Sequence, residues 1–205
     1  MINKITYRDQ VRFLILDKMK TGQLKSGDSL SLASIARDLE VSVTPIREAL
    51  TQLEYSKIIK SVPNCGFIIP ELSNSKAKNL YQLVATLEAL AIENSTYSKS
   101  IITKLKEQEK KIEMAGNAID RINADITFHN ILTSQYDNET AQQVLLDLKT
   151  RIFFYEVAFM ERREFQESSK NHHQQIINYI EKEQTKEAVE LLKINWLQTL
   201  DLFTL

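Results

Sequence analysis

All three prolines of this 205-residue chain, Pro45, Pro63 and Pro70, lie before residue 71, and only four glycines occur. Proline removes an amide donor and clashes with the preceding turn of a helix, so the first third must be punctuated while the remainder is free to be helical. Apolar residues make up 43% of the chain, enough to build buried cores. Charge also divides near residue 72: residues 1–72 hold ten Lys and Arg against eight Asp and Glu, and residues 73–205 hold sixteen against nineteen. Two domains are therefore expected, 1–72 and 73–205. A net charge of −1 argues against a protein that coats nucleic acid through many phosphate contacts, yet it permits a local basic surface. Cys65 is the single cysteine, which excludes an internal disulfide. No apolar leader or membrane-length run is present, so a cytoplasmic location without a membrane partner is expected.

In the first part, Val11, Leu14, Ile15 and Met19 have the spacing of an amphipathic helix that Gly22 ends. A turn at Lys25–Asp28 leads to a short helix containing Ile35, Ala36 and Leu39, capped by Ser31 or Ser34. A tight link then opens a further helix. Ser42 and Thr44 are its candidate caps, Pro45 suits its first turn, and Ile46, Ala49, Leu50 and Leu53 form one apolar face. Val43, Thr44, Arg47 and Thr51 are left facing outward. Hydroxyls and an arginine at the positive end of a helix dipole suit phosphates and the base edges of a DNA major groove. Beyond it, Ile58–Val62 and Phe67–Ile69 are β-prone runs flanking Pro63-Asn64-Cys65-Gly66, the pattern of a hairpin. Helices followed by a small hairpin make a winged helix-turn-helix, with the hairpin as wing.

Beyond Leu72 the pattern is helical only. Stripes such as Leu80, Leu83, Val84, Leu87, Leu90 and Ala91, or Ala188, Leu191, Leu192, Trp196 and Leu200, predict about six helices in an all-α bundle. The fold class expected for the whole is mainly α. Four polar residues fall on inward stripes: Asp125 and His129 with Ile122 and Ile126, His173 with Ile176 and Ile180, and Asn195 with Leu192 and Trp196. His173 lies eleven residues before Gln184 and Asn195 eleven after it, so an antiparallel pair turning there puts both at one level. A carboxylate, two imidazoles and an amide oxygen suit a divalent metal such as zinc, nickel or manganese. A hydrogen-bonded buried cluster without metal is the other reading of the same spacing.

The segments Gly27-Asp28-x-Leu30, Ile35-Ala36-x-x-Leu39-x-Val41-Ser42-x-Thr44-Pro45-Ile46-Arg47-Glu48-Ala49-Leu50-x-x-Leu53-Glu54 and Asn64-x-Gly66-Phe67 resemble the DNA-binding domain of the GntR family of bacterial transcription regulators. The resemblance implies contacts with double-stranded, palindromic DNA from Arg37, Ser42, Val43, Thr44, Pro45, Arg47, Asn64 and Gly66. Members of that family commonly carry arginines where Ala33, Val43 and Cys65 stand here, so the operator sequence cannot be carried over from relatives. The helical part is similar to the FCD effector domain of the FadR-type branch. That likeness implies a metal held by Asp125, His129 and His173, with Asn195 where a last histidine is expected, a substitution that weakens the site. Val84 stands where relatives often place an arginine for an anionic effector, which leaves Arg151 as the candidate substitute. His172, one position off the inward stripe, is expected outside the site. The expectation is thus a homodimeric, DNA-binding repressor answering to a small organic acid, not an enzyme. A metal-dependent enzyme on the helical domain, or a helical interaction module that has lost DNA binding, are the alternatives; no nucleophile–base pair or phosphate loop supports the former.

Overall fold

A computed structural model of the chain describes residues 6–63, 65–70, 73–159 and 166–203. It falls into two compact units, Met1–Leu72 and Ser73–Leu205.

In the first unit, helix α1 (Tyr7–Lys20) is capped by Thr6, whose side chain accepts from the Asp9 amide. Val11, Ile15 and Met19 are its buried face. Strand β1 (Ser29–Leu30) precedes α2 (Leu32–Asp38), where Ser31 caps by accepting from Ser34. The link from α2 turns at Glu40, which holds φ at 53°. Helix α3 (Val43–Tyr55) follows, and its Ile46, Ala49, Leu50 and Leu53 are wholly buried. Its first turn carries Ser42 at the cap without a side-chain bond to the helix.

Strands β2 (Lys60–Val62) and β3 (Gly66–Ile68) form the hairpin, and β1 adds to its other side in the order β1-β3-β2. The third strand was not expected from sequence, because two residues are too short to show alternation. Gly66 makes it possible. It has φ +83°, and a Cβ there would meet the Leu30 carbonyl oxygen at 3.0 Å, so only glycine lets β1 approach without displacement.

The second unit contains six described helices: α4 (Asn74–Glu93), α5 (Lys99–Met114), α6 (Ala118–Thr133), α7 (Glu139–Phe159), α8 (Gln166–Glu181) and α9 (Thr185–Leu197). A 3-10 segment, Gln198–Phe203, closes the chain's described part. Ser73, Ser98 and Asn117 cap the first three by accepting a backbone amide three residues on. Helix α4 packs on α9 and α7, and α5 packs on α6 and α8. The inward face of α4 differs from the leucine stripe read in the sequence. Tyr81, Val84, Ala85, Glu88, Ala91 and Ile92 are buried, while Leu83 and Leu90 remain 45% and 41% exposed. Alanines on the inner face let neighbouring helices come close, and the bulkier leucines flank the contact.

Candidate metal centre

Asp125 and His129 lie one turn apart on α6, and His173 reaches them from α8. One ligand atom of each lies within 4.8 Å of the others. His173 Nε2 stands 3.5 Å from Asp125 Oδ1, and His129 Nε2 stands 3.9 Å from Asp125 Oδ2. Both imidazoles are 1% exposed whereas the Asp125 side chain is 30% exposed, so access to the trio is past the carboxylate.

Each ring is held from behind by an acid that sequence reading missed. His129 Nδ1 donates to Glu88 Oε2 at 2.7 Å, and His173 Nδ1 donates to Glu109 Oε2 at 3.0 Å. A carboxylate can only accept, so each Nδ1 carries a proton, and each ring turns its Nε2 toward Asp125. Phe128 stacks on the His173 ring at 4.2 Å, and Trp196 lies against His129 at 4.4 Å, fixing both planes. Only a partial signal for the two acids was present: Glu88 shares the helical register of Val84 and Ile92, and Glu109 that of Leu105 and Ile112, but register alone does not say which face a neighbouring helix covers.

Glu88 is itself pinned by three helices. Lys149 Nζ of α7 lies 2.6 Å from its Oε1, and Trp196 Nε1 of α9 donates to Oε2 at 2.7 Å. Burial opposes its charge, but His129 and Lys149 outweigh burial and hold the carboxyl down at about 2. Burial likewise works against a charged His173, yet the bond to Glu109 and the field of Asp125 raise its pKa. A proton and a metal compete for the same Nε2 lone pair.

The fit of a divalent metal rests on one atom. His129 Nε2 is buried and has no hydrogen-bond partner, whereas its opposite nitrogen is well bonded. Buried polar atoms are rarely left bare. Two imidazole nitrogens backed by carboxylates, converging on a third carboxylate, are the donor set and outer support that such ions require.

The fourth sequence candidate is there too. Asn195, 5% exposed, places Nδ2 3.4 Å from His173 Nε2, so the two residues equidistant from Gln184 do meet. His172 departs from expectation: it is half-buried and its side chain bonds Asn195. Val84 is fully buried on α4 between Tyr81 and Glu88. Arg151 is half-buried and its Nε donates to the Asp147 carbonyl of its own helix at 3.4 Å, so that part of its guanidinium is engaged along α7. A further acid lies nearby. Tyr81 donates to Glu156, whose carboxyl is pushed up to about 7 by burial, with the Asp125 charge adding to the shift.

In the first unit Arg37, Ser42, Val43, Thr44 and Arg47 are exposed and Pro45 is half-buried. Cys65 is exposed beside Gly66 in the hairpin turn, and Asn64 lies outside the described residues.

A three-helix unit with a winged sheet, followed by an all-α bundle, defines a class: the bacterial helix-turn-helix regulators with a separate helical domain. Residues 7–69 match the bacterial regulatory proteins of the gntR family, and residues 79–195 match the FCD domain. The chain belongs to the GntR family of transcriptional regulators and carries an FCD domain. It is 26% identical over 175 residues to the uncharacterised HTH-type transcriptional regulator YdhC of Bacillus subtilis, covering 82% of this chain and 78% of that one. Against the gluconate operon transcriptional repressor of the same organism it is 27% identical, covering 72% and 63%. Among solved structures, McbR/YncC of Escherichia coli superposes with a TM-score of 0.81 at 19% identity, covering 98% of both chains. A GntR regulator of Rhodococcus gives 0.85 at 18% identity, covering 96% of this chain and 97% of that one. Among the described residues no helix is long and apolar enough to cross a membrane.

Proposed function

We propose that the protein is a homodimeric repressor that binds palindromic double-stranded DNA through α3 and the wing, and that a divalent metal on Asp125, His129 and His173 receives a small carboxylate-bearing metabolite. The bare, buried Nε2 of His129 is the observation that carries the metal part. The metal would supply positive charge that no arginine at position 84 provides, and a carboxylate bound on it would tie α6 to α8. For DNA, support comes from the open face of α3: Val43, Thr44 and Arg47 stand exposed at the positive end of the helix dipole while the opposite face is buried. The gluconate operon repressor among its relatives supports repression as the direction.

Untagged protein purified without chelator should carry about one equivalent of zinc, nickel or manganese by elemental analysis. It should also retard a fragment of its own promoter region, less tightly as salt rises. In the same assay Arg47→Ala should weaken binding by about 1–3 kcal/mol if the guanidinium reads a base. Equal retardation by parent and variant would remove Arg47 from the reading surface. No retardation by the parent would remove the DNA reading.

A further inference from the structure

Two of the three proposed metal ligands are held by acids, but the position where a fourth ligand would stand is occupied by Asn195, an amide with a donor end and an acceptor end. In the observed arrangement Asn195 Nδ2 faces His173 Nε2 at 3.4 Å, and Asn195 Oδ1 accepts from Gln198 Nε2 at 3.4 Å. With His173 Nδ1 committed to Glu109, its Nε2 is the atom left facing the amide, which can present either its N–H or its oxygen there. The two ends of an amide have nearly the same shape, so a half-turn about the last side-chain torsion exchanges them at little steric cost.

Resting on the metal-bound reading above, we propose that Asn195 is a reversible oxygen donor. Its N–H caps His173 in the metal-free protein, and its carbonyl oxygen becomes the fourth ligand when metal binds. The surroundings can accept both arrangements. Gln198 is also an amide and can reverse with it, offering an oxygen in place of its N–H. His172, whose side chain already bonds Asn195, keeps a buried Nδ1 without a partner. The resulting donor set is two imidazole nitrogens and two oxygens, rather than the three nitrogens and one oxygen that a histidine at 195 would give. Oxygen ligands suit manganese, and imidazole suits zinc and nickel. Zinc precedes manganese in intrinsic affinity at any such site, so the consequence is a narrowed ratio rather than a reversed order.

The test uses full-length, untagged protein stripped of metal. Manganese binding is read from the electron paramagnetic resonance of the free ion, and zinc binding by competition with a chromophoric chelator. Asn195→His should raise the zinc-to-manganese affinity ratio by about tenfold or more, and Asn195→Leu should weaken manganese binding by a similar factor, the scale of lost ligand support at metal centres. Asn195→Asp, which keeps an oxygen and changes little in shape, should bind manganese at least as well as the parent, and it guards against misfolding of the other variants. An unchanged ratio in Asn195→His, or parent-like manganese binding in Asn195→Leu, overturns the oxygen-donor role while leaving the metal centre in place. A parent that binds neither ion overturns both.

Discussion

Lys149 Nζ lies 2.6 Å from Glu88 Oε1, with the lysine 1% exposed and the glutamate wholly buried. The same Nζ donates to Asn130 Oδ1 at 3.0 Å, so one ammonium joins α4, α6 and α7 behind His129. Two charges taken out of water together tolerate the loss of neither singly. Lys149→Met should therefore destabilise the protein by about 3–5 kcal/mol, since it leaves Glu88 buried with less compensation. Denaturant unfolding would measure it. A loss below about 1 kcal/mol, the range of an exposed pair, would show that water reaches this carboxylate.

Glu88 also predicts an acid limb of stability. Its folded pKa of about 2 lies below the ordinary 4.5, so the folded state binds its proton less readily than the unfolded chain does. The contribution is complete above pH 4.5 and is lost as pH falls toward 2. Thermal melts of Glu88→Gln should show a lower melting temperature at pH 6 and a shallower decline on acidification than the parent. Parallel curves for the two proteins would contradict the assignment.

Glu156 has the opposite sign. Burial raises its carboxyl to about 7, partly offset by the Tyr81 bond and reinforced by Asp125, so the folded state holds this proton more tightly than the unfolded chain. Its contribution is full below about 4.5 and is lost as pH rises through about 7. Glu156→Gln, an amide that mimics the protonated acid, should flatten the fall in melting temperature between those limits. If the parent shows no such fall, the carboxyl is solvated.

Leu83 and Leu90 lie seven residues apart on α4, two turns of helix, and stay 45% and 41% exposed. Paired apolar side chains on one helix face are costly to leave in water and suit a two-fold contact with a second copy. The parent should scatter light as twice 23.7 kDa, and Leu83→Glu with Leu90→Glu should shift it toward 23.7 kDa. A parent that is monomeric at micromolar concentration would remove the dimer. A double variant that stays dimeric would move the contact elsewhere, the exposed Leu146 of α7 being the next candidate.

Much of the fold was legible because local signals agreed with one another. Proline placement, the Ser31 and Ser42 cap positions, and the 3.6-residue rhythm of Ile46, Ala49, Leu50 and Leu53 each speak of a few neighbouring residues. So does the i, i+4 relation that puts Asp125 and His129 on one face. Even the meeting of His173 with Asn195 could be drawn from equal distances to a turn, because a helix pair translates sequence separation into height.

What could not be read was anything set by which helix comes to lie beside which. The sequence alone determined two units, helical rhythm and the polar residues of α6, α8 and α9. It could not tell that α4 turns Glu88 inward, since the leucines beside it outweigh alanine in any hydrophobic pattern. The packed bundle decided otherwise because alanines allow close helix contact and Lys149, His129 and Trp196 converge to satisfy the acid. Glu109 behind His173 and the approach of β1 to Gly66 are of the same kind. Each depends on a partner distant in sequence, and the burial of a charge is acceptable only once that partner is in place.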